Sequence, residues 1–275
     1  MSKSEPVQLP PVVFGGGFSY APVPVLDYQE DHVTLFGSAC DVTGSMRGHM
    51  PAVQRCLMSS IASLIDSPFA DHLLVRVTEF DDPVRYAGTK HGTVREIFPF
   101  TKLGDLMPDN LPKDPAEKLA VITDKVSSMM PKMVPDGNTT LLDAIYDGIV
   151  TLDKQGREFR RERIKTNAIL VVKTDGVDNA SVKSIDDIRQ ALADLQKGSD
   201  AIESIMLILI GINAAVHAAE LAELKEAVGF DHYIDAGDAT PAALAKLQGY
   251  IVESVSSTSM AAGSGKKSTA IRAQI

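Results

Sequence analysis

The spacing of apolar residues alternates between two periods from about residue 31 onward. Short apolar runs predict strands over 33–40, 73–80, 94–100, 168–172, 204–210 and 232–235. Apolar residues at helical spacing predict helices over 50–66, 116–130, 141–153, 184–198, 214–228 and 240–255. Strands separated by helices are typical of a parallel sheet with helices on both faces. We therefore predict a doubly wound α/β domain with a mostly parallel, six-stranded sheet.

One strand is expected to run antiparallel at an edge of this sheet. The link between the second and third predicted strands contains Gly88 and Gly92 and is short enough for a hairpin. Pro99 lies near the end of the third strand, and proline cannot donate to a strand ladder. The third strand is therefore predicted at the edge.

Both ends of the chain depart from this pattern. Residues 1–30 contain five prolines and three consecutive glycines, which predict an extended arm. The arm is either a floppy tail or an ordered segment that lies on its own surface or on a neighbouring subunit. Residues 256–275 are rich in Ser, Gly and Lys and contain no acid, so we predict a disordered basic tail. The folded domain is expected over 31–255.

Composition and charge exclude several classes of protein. The chain has 36 acidic and 27 basic residues, a net charge of -9, which disfavours binding to nucleic acid or anionic membranes. Its longest apolar run, 205–212, is too short to span a membrane, and residues 1–6 lack the apolar run of a signal peptide. Cys40 and Cys56 have no metal-site spacing and are predicted to be buried thiols. We expect a cytoplasmic protein with no membrane partner.

Oxygen-bearing side chains follow several of the predicted strands. Asp41, Thr43 and Ser45 come after the first strand, residues 137–140 precede a helix, and Asp175 follows the fourth strand. Ligands of doubly wound sheets lie beyond the carboxyl ends of the strands. Taken alone, each loop also fits a helix N-cap. Their conjunction, without His or Cys, indicates a site for Mg²⁺, Mn²⁺ or Ca²⁺.

The same loops resemble three motifs of the von Willebrand factor type A (vWA) domain family. The family's D-x-[ST]-G-S is matched over 41–45, its G-x-T-x-L-x-x-A-[LI] over 137–145, and its T-D-G-x-x-N over 174–179. The resemblance covers roughly residues 31–255, and it implies the same doubly wound fold.

The resemblance implies a metal-ion-dependent adhesion site that holds Mg²⁺, or Mn²⁺ or Ca²⁺ in its place. The ligands it implies are Asp41, Thr43, Ser45, Thr139 and Asp175. Asp175 would hold the ion directly or through water. Thr140 is a rival for the position of Thr139. The family more often has serine where this chain has Thr43, but the two hydroxyls are chemically equivalent.

Other charged residues near these motifs have two interpretations. Asp81, Asp82 and Asp178 are either turn residues or a polar rim around the metal. Arg47 and His49 are either the solvated start of a helix or residues that help to select an acidic ligand.

The resemblance implies a protein-binding module in which a partner's Asp or Glu carboxylate completes the coordination of the metal. An adaptor to an AAA-type ATPase, a stress- or metal-resistance complex and a phage-type assembly are all compatible contexts. A further hypothesis is that movement of the last predicted helix, 244–255, reports whether the metal site is occupied. The alternative function is structural: self-association through the N-terminal arm, with the metal stabilising the loops.

Catalysis is not expected. Haloacid-dehalogenase-like phosphatases need a second aspartate two residues after the first, and this chain has Thr43 there. No G-x-S-x-G motif is present, and Gly15–Gly17 does not continue into G-x-G-x-x-G because Tyr20 occupies the last glycine position.

Overall fold

A six-stranded sheet forms the centre of the molecule. The computed structural model describes residues 12–13, 19–20, 32–82, 93–198 and 201–264. The first two strands, β1 (Val12–Val13) and β2 (Ser19–Tyr20), form a separate two-stranded antiparallel sheet. The strands of the main sheet are β3 (His32–Asp41), β4 (Leu73–Phe80), β5 (Val94–Lys102), β6 (Lys165–Thr174), β7 (Ser204–Gly211) and β8 (His232–Asp235). Their order is β5-β4-β3-β6-β7-β8, with only β5 antiparallel to its neighbour. The predicted fold class is confirmed.

Helices cover both faces of this sheet. They are α1 (Met50–Ile65), α2 (Pro115–Met129), α3 (Leu141–Arg161), α4 (Ile185–Gly198), α5 (Ala218–Val228) and α6 (Pro241–Ser264). α1, α2 and α6 bury their apolar side chains on one face, and α3, α4 and α5 on the other. Among the described residues, no helix is long and apolar enough to cross a membrane.

The central strands are apolar on both faces because both faces are covered. In β6, Ile169 and Val171 pack under α1 and α6, whereas Leu170 and Val172 pack under α3. This explains why β6 is a nearly continuous apolar run instead of an alternating one.

The strand order reverses between β3 and β6, and this places the candidate ligands side by side. β3 pairs in parallel with β4 on one side and with β6 on the other, with Cys40 opposite Lys173. Asp41 and Asp175 therefore leave the same edge of the sheet from adjacent strands. In doubly wound folds this reversal is where ligands bind.

Two predicted helices are longer in the structure. α3 continues to Arg161, past the predicted end at 153. α6 continues to Ser264, so the prediction of disorder is wrong for 256–264. Thr258 and Ser259 are buried, and the Ser259 hydroxyl donates to Thr34 Oγ1 of β3 at 3.0 Å. Small hydroxyl residues allow this helix to lie close to the sheet, which a composition argument does not detect.

The two cysteines are free and buried, as predicted. The Cys56 thiol donates to the Leu244 carbonyl at 3.4 Å and so joins α1 to the first turn of α6. The hairpin residues Gly88 and Gly92 lie outside the described residues, and so does most of the N-terminal arm.

Candidate metal centre

Asp41 lies at the carboxyl end of β3 with both carboxylate oxygens engaged. Oδ1 accepts a hydrogen bond from the Thr43 backbone N–H at 2.8 Å, and Oδ2 accepts one from Thr174 Oγ1 at 2.7 Å. Asp41 is completely buried. The first bond closes the turn after β3, and the second ties that turn to the end of β6.

Two hydroxyls continue from this turn to the second carboxylate. Thr43 Oγ1 lies 3.1 Å from Ser45 Oγ, and Ser45 Oγ donates to Asp175 Oδ1 at 2.9 Å. Thr43 is buried, whereas Ser45 is exposed. The structure thus brings four of the five predicted ligands into one chain of contacts that reaches the surface at Ser45.

Thr139 belongs to a third loop, which hydrogen bonds through its backbone to both other loops. The Gly44 N–H donates to the Gly137 carbonyl at 3.2 Å, on the side of the first loop. The Thr139 N–H donates to Asn179 Oδ1 at 2.8 Å, in the loop that carries Asp175. These bonds hold the segment before α3 against the other two loops, with the Thr139 side chain 5% exposed.

Thr140, the rival of Thr139, has its hydroxyl engaged elsewhere. Thr140 Oγ1 donates to the Asp81 carbonyl at 2.9 Å, and Thr140 is completely buried. This bond joins the start of α3 to the end of β4. The geometry therefore favours Thr139 over Thr140 as a source of a ligand oxygen.

The acidic residues near the site have structural partners. Asp82 Oδ2 accepts from Asn138 Nδ2 at 2.8 Å, which fixes the loop that carries Thr139. Asp178 Oδ1 accepts from the Leu142 N–H at 3.2 Å and from the Ser181 hydroxyl, at the first turn of α3. Asp178 therefore orders the start of α3, a role that the sequence analysis did not assign to it.

A buried carboxylate that the sequence did not single out completes this scaffold. Asp143, in the first turn of α3, accepts at Oδ1 from the N–H groups of Val182 and Lys183 at 3.1 and 2.8 Å. Its own N–H donates to Ser181 Oγ at 3.0 Å. Asp143 lies within the stretch 137–145 that resembles the vWA motif, but at a position that the motif leaves open.

Burial changes the ionisation of the two candidate carboxylates. Burial raises the pKa of Asp41 to about 7; the hydrogen bonds from Thr43 and Thr174 oppose this shift, and the charge of Asp175 adds to it. Burial also raises the pKa of Asp175, against a bond from Ser45 and the charges of two nearby histidines, His49 and His217. Removing a carboxylate from water disfavours its charged form. A cation bound between Asp41 and Asp175 would stabilise their charged forms and so lower both pKa values.

The donor set fits a hard divalent cation. Two carboxylates balance the charge of a divalent ion, and hydroxyls and water complete a six-coordinate shell of oxygens. Within the described part of the chain, no group of three or more His, Cys, Asp and Glu side chains is placed to hold a metal. A metal at this edge would therefore depend on the hydroxyls of Thr43, Ser45 and Thr139 as well as on the two aspartates.

Comparisons with known proteins give similarity in structure only. No protein-family model matches the chain, and no curated protein matches its sequence. The pilus adhesin SpaC of Lactobacillus rhamnosus GG, in its open conformation, is similar over 82% of this chain, with 14% identity and a TM-score of 0.53. A D319A mutant of the PilB minor pilin of Streptococcus sanguinis is similar over 86%, with 14% identity and a TM-score of 0.54.

This chain spans 30% of the SpaC chain and 65% of the PilB chain. Together with the strand order, these similarities show a vWA-like fold. The mussel byssus protein PTMP1, in a structure with a zinc-occupied MIDAS motif, matches over 81% of this chain and 46% of its own, with 17% identity. Its TM-score of 0.44 is too low to bear on the site.

Proposed function

We propose that this protein is a divalent-metal-dependent protein-binding module. Asp41, Thr43, Ser45, Thr139 and Asp175 would hold the ion, with Mg²⁺ the expected metal and Mn²⁺ or Ca²⁺ as substitutes. A bound ion supplies one coordination position for a carboxylate oxygen of a partner's Asp or Glu. The observation that carries the proposal is the chain of contacts from Asp41 through Thr43 and Ser45 to Asp175.

The number of charged ligands supports binding of a carboxylate. Only two carboxylates lie in the candidate set, so a divalent ion there is just neutralised and keeps an affinity for a further anionic oxygen. A site with three or four carboxylates would repel an acidic partner. Binding through one such bond is reversible, which suits an adaptor.

Exposure of Ser45 supports an accessible coordination position. Asp41, Thr43 and Thr139 are buried, while Ser45 is exposed and Asp175 is 8% exposed. The site is therefore closed on the side of the sheet and open on the side of Ser45. A partner would approach from that side.

We infer no catalytic role. The hydroxyls of Thr174 and Ser45 donate to Asp41 and Asp175, but these two carboxylates are the ones that would hold the metal, so neither is left to act as a general base. A cytoplasmic location stays a prediction.

A peptide titration tests this function. Bound Mn²⁺ increases the relaxation rate of water protons, and a carboxylate that replaces a bound water lowers this effect. With the peptide acetyl-Gly-Asp-Gly-amide we expect a saturable decrease, and with its Asn analogue no decrease. A decrease of equal size with both peptides would contradict carboxylate binding at the metal.

A further inference from the structure

Three exposed valines lie on the loops around the candidate metal centre. Among the side chains that the structure describes, six large hydrophobic residues are exposed, and the other three lie on α2 and α6. Val134 is 50% exposed, Val182 83% and Val216 84%. We refer to these three residues as the rim valines.

Val134 lies on the segment that leads to Thr139. Two residues later, the Asp136 N–H donates to the Val42 carbonyl at 2.8 Å, directly after Asp41. Gln54 Nε2 of α1 donates to the Pro131 carbonyl at 3.1 Å and fixes the beginning of this segment. Val134 is therefore held at the metal end of the sheet by bonds on both sides.

Val182 lies on the loop that follows Asp175. Its N–H donates to Asp143 Oδ1 in the first turn of α3, at 3.1 Å. Three residues before it, Asn179 Oδ1 accepts from the Thr139 N–H. Val182 is thus fixed beside the loop of Thr139.

Val216 lies on the loop between β7 and α5. The adjacent His217 lies close to Gly176, the residue after Asp175: a Cβ added to Gly176 would lie 4.0 Å from His217 Cδ2. His217 Nδ1 lies 3.1 Å from Glu220 Oε2, which orients the ring. The His217 N–H donates to the Ala214 carbonyl at 2.8 Å and closes a turn that presents Val216 to water.

The arrangement has the composition of a docking surface. Single exposed valines are common, but here three separate loops each present one at the same end of the sheet. Apolar contacts around a polar centre exclude water, and exclusion of water strengthens the central contact. His49 and His217 are close enough to Asp175 to favour its charged form, and Arg47 follows Ser45 by two residues. These bases complement an acidic residue at the centre.

We propose that the rim valines select a protein segment whose metal-binding carboxylate is flanked by apolar side chains. This inference rests on the proposed function and specifies the partner. A partner that offers only acidic or polar residues around its carboxylate would leave the rim valines in water. An apolar neighbour would bury them, and burial of one valine or leucine side chain favours binding by roughly tenfold.

Two peptides that differ only beside the aspartate test the proposal. The probes are acetyl-Ser-Leu-Asp-Leu-Ser-amide and acetyl-Ser-Gly-Asp-Gly-Ser-amide, titrated in Mn²⁺ and followed by water proton relaxation. We expect the leucine peptide to bind at least about fivefold more tightly to the full chain. In the triple variant V134S/V182S/V216S the ratio of the two affinities should fall to about one.

Controls separate this inference from the proposed function. Val121→Ser removes an exposed valine of α2 and should keep the fivefold ratio. Equal binding of both peptides to the unchanged protein, or an unchanged ratio in the triple variant, would overturn the selection by the rim valines while leaving metal-dependent binding intact. Failure of both peptides to bind in Mn²⁺ would overturn the proposed function itself, and this inference with it. If the triple variant melts at a much lower temperature, the three single variants replace it, each with a smaller expected loss.

Discussion

The Ser45 hydroxyl donates a hydrogen bond of 2.9 Å to the Asp175 carboxylate, 130 residues further along the chain. This bond joins the turn after β3 to the loop after β6, at the position where the strand order reverses. Because Ser45 is exposed and Asp175 is nearly buried, the bond also marks the boundary between the interior and the open side of the candidate site. The predictions below separate ligand residues from scaffold residues.

Substitution by Val should weaken metal binding at Thr139 and should lower protein stability at Thr140. Thr139→Val removes a candidate ligand oxygen, so we expect Mn²⁺ affinity to fall about tenfold or more with little change in unfolding free energy. Thr140→Val removes a buried hydrogen bond to the Asp81 carbonyl, so we expect a loss of about 1–3 kcal/mol of stability. Calorimetric Mn²⁺ titration and urea unfolding of both variants provide the comparison. If Thr140→Val lost metal binding while Thr139→Val kept it, the assignment would be reversed.

Gly137→Ala should disturb the loop that carries Thr139. Gly137 has φ +75°, and an added Cβ would lie 2.4 Å from the Asp82 Cβ. We expect a loss of roughly 1–3 kcal/mol in unfolding free energy, together with weaker Mn²⁺ binding. Gly48→Ala is the matched control, since nothing lies within 4 Å of its added Cβ. If the two variants had equal free energies of unfolding, the close approach of Gly137 to Asp82 would not constrain this loop.

The contribution of Asp41 to stability in EDTA should fall as the pH rises from about 4 to about 7. The pKa of Asp41 is raised by burial to about 7, above its value of about 3.9 in an unfolded chain. Between these values the folded state binds the extra proton, so each increase in pH costs folding free energy, on the order of 2–4 kcal/mol in total. Asp41→Asn should flatten this part of the profile. Urea unfolding at several pH values measures it, and an identical slope in the variant would refute the shift.

Ionisation of Asp41 should strengthen metal binding as the pH rises, although it lowers stability in EDTA. The Asp41 carboxylate must lose its proton to hold a cation, so Mg²⁺ should raise the melting temperature more at pH 8 than at pH 5.5. Thermal unfolding with Mg²⁺ and with EDTA at both pH values measures the difference. A stabilisation by Mg²⁺ that is greater at pH 5.5 would contradict the role of Asp41.

Arg76 should be critical for the stability of the fold. It is buried in β4, with Nε 2.6 Å from Glu96 Oε2 and Nη1 2.8 Å from Asp147 Oδ2 of α3. Arg76→Met removes the guanidinium that bonds to both carboxylates, and we expect a loss of about 3–5 kcal/mol. Arg161→Ala, which removes an exposed pair with Glu158, should cost less than about 0.5 kcal/mol. Urea unfolding measures the free energy of unfolding of both variants. A similar loss in both would contradict a structural role for Arg76.

The sequence was sufficient to predict the sheet and most of the helices. The sequence pattern predicted β4 and β8 to the residue, although β4 contains Arg76, Thr78 and Glu79 and β8 buries only Ile234. It did not predict the length of α6, whose last turns pack through Thr258 and Ser259, since short polar side chains carry no apolar period.

The candidate site could be predicted only in part. The spacing of Asp41, Thr43 and Ser45 placed three oxygens in one turn, and the topology brought Asp175 beside them. No local pattern indicated that Asp143 would hold the loop of Val182, because that contact joins residues 39 positions apart. The position of His217 beside Asp175 likewise depends on the packing of β7 against β6.

One measurement tests the central claim most directly: calorimetric titration of Mn²⁺ into the unchanged protein and into Asp41→Asn, at pH 8. The variant keeps the size of the side chain and removes the charge, and urea unfolding confirms that it is folded. We predict one Mn²⁺ bound per chain in the unchanged protein and no detectable binding in the variant. Equal binding by both proteins would contradict a metal site at the end of β3.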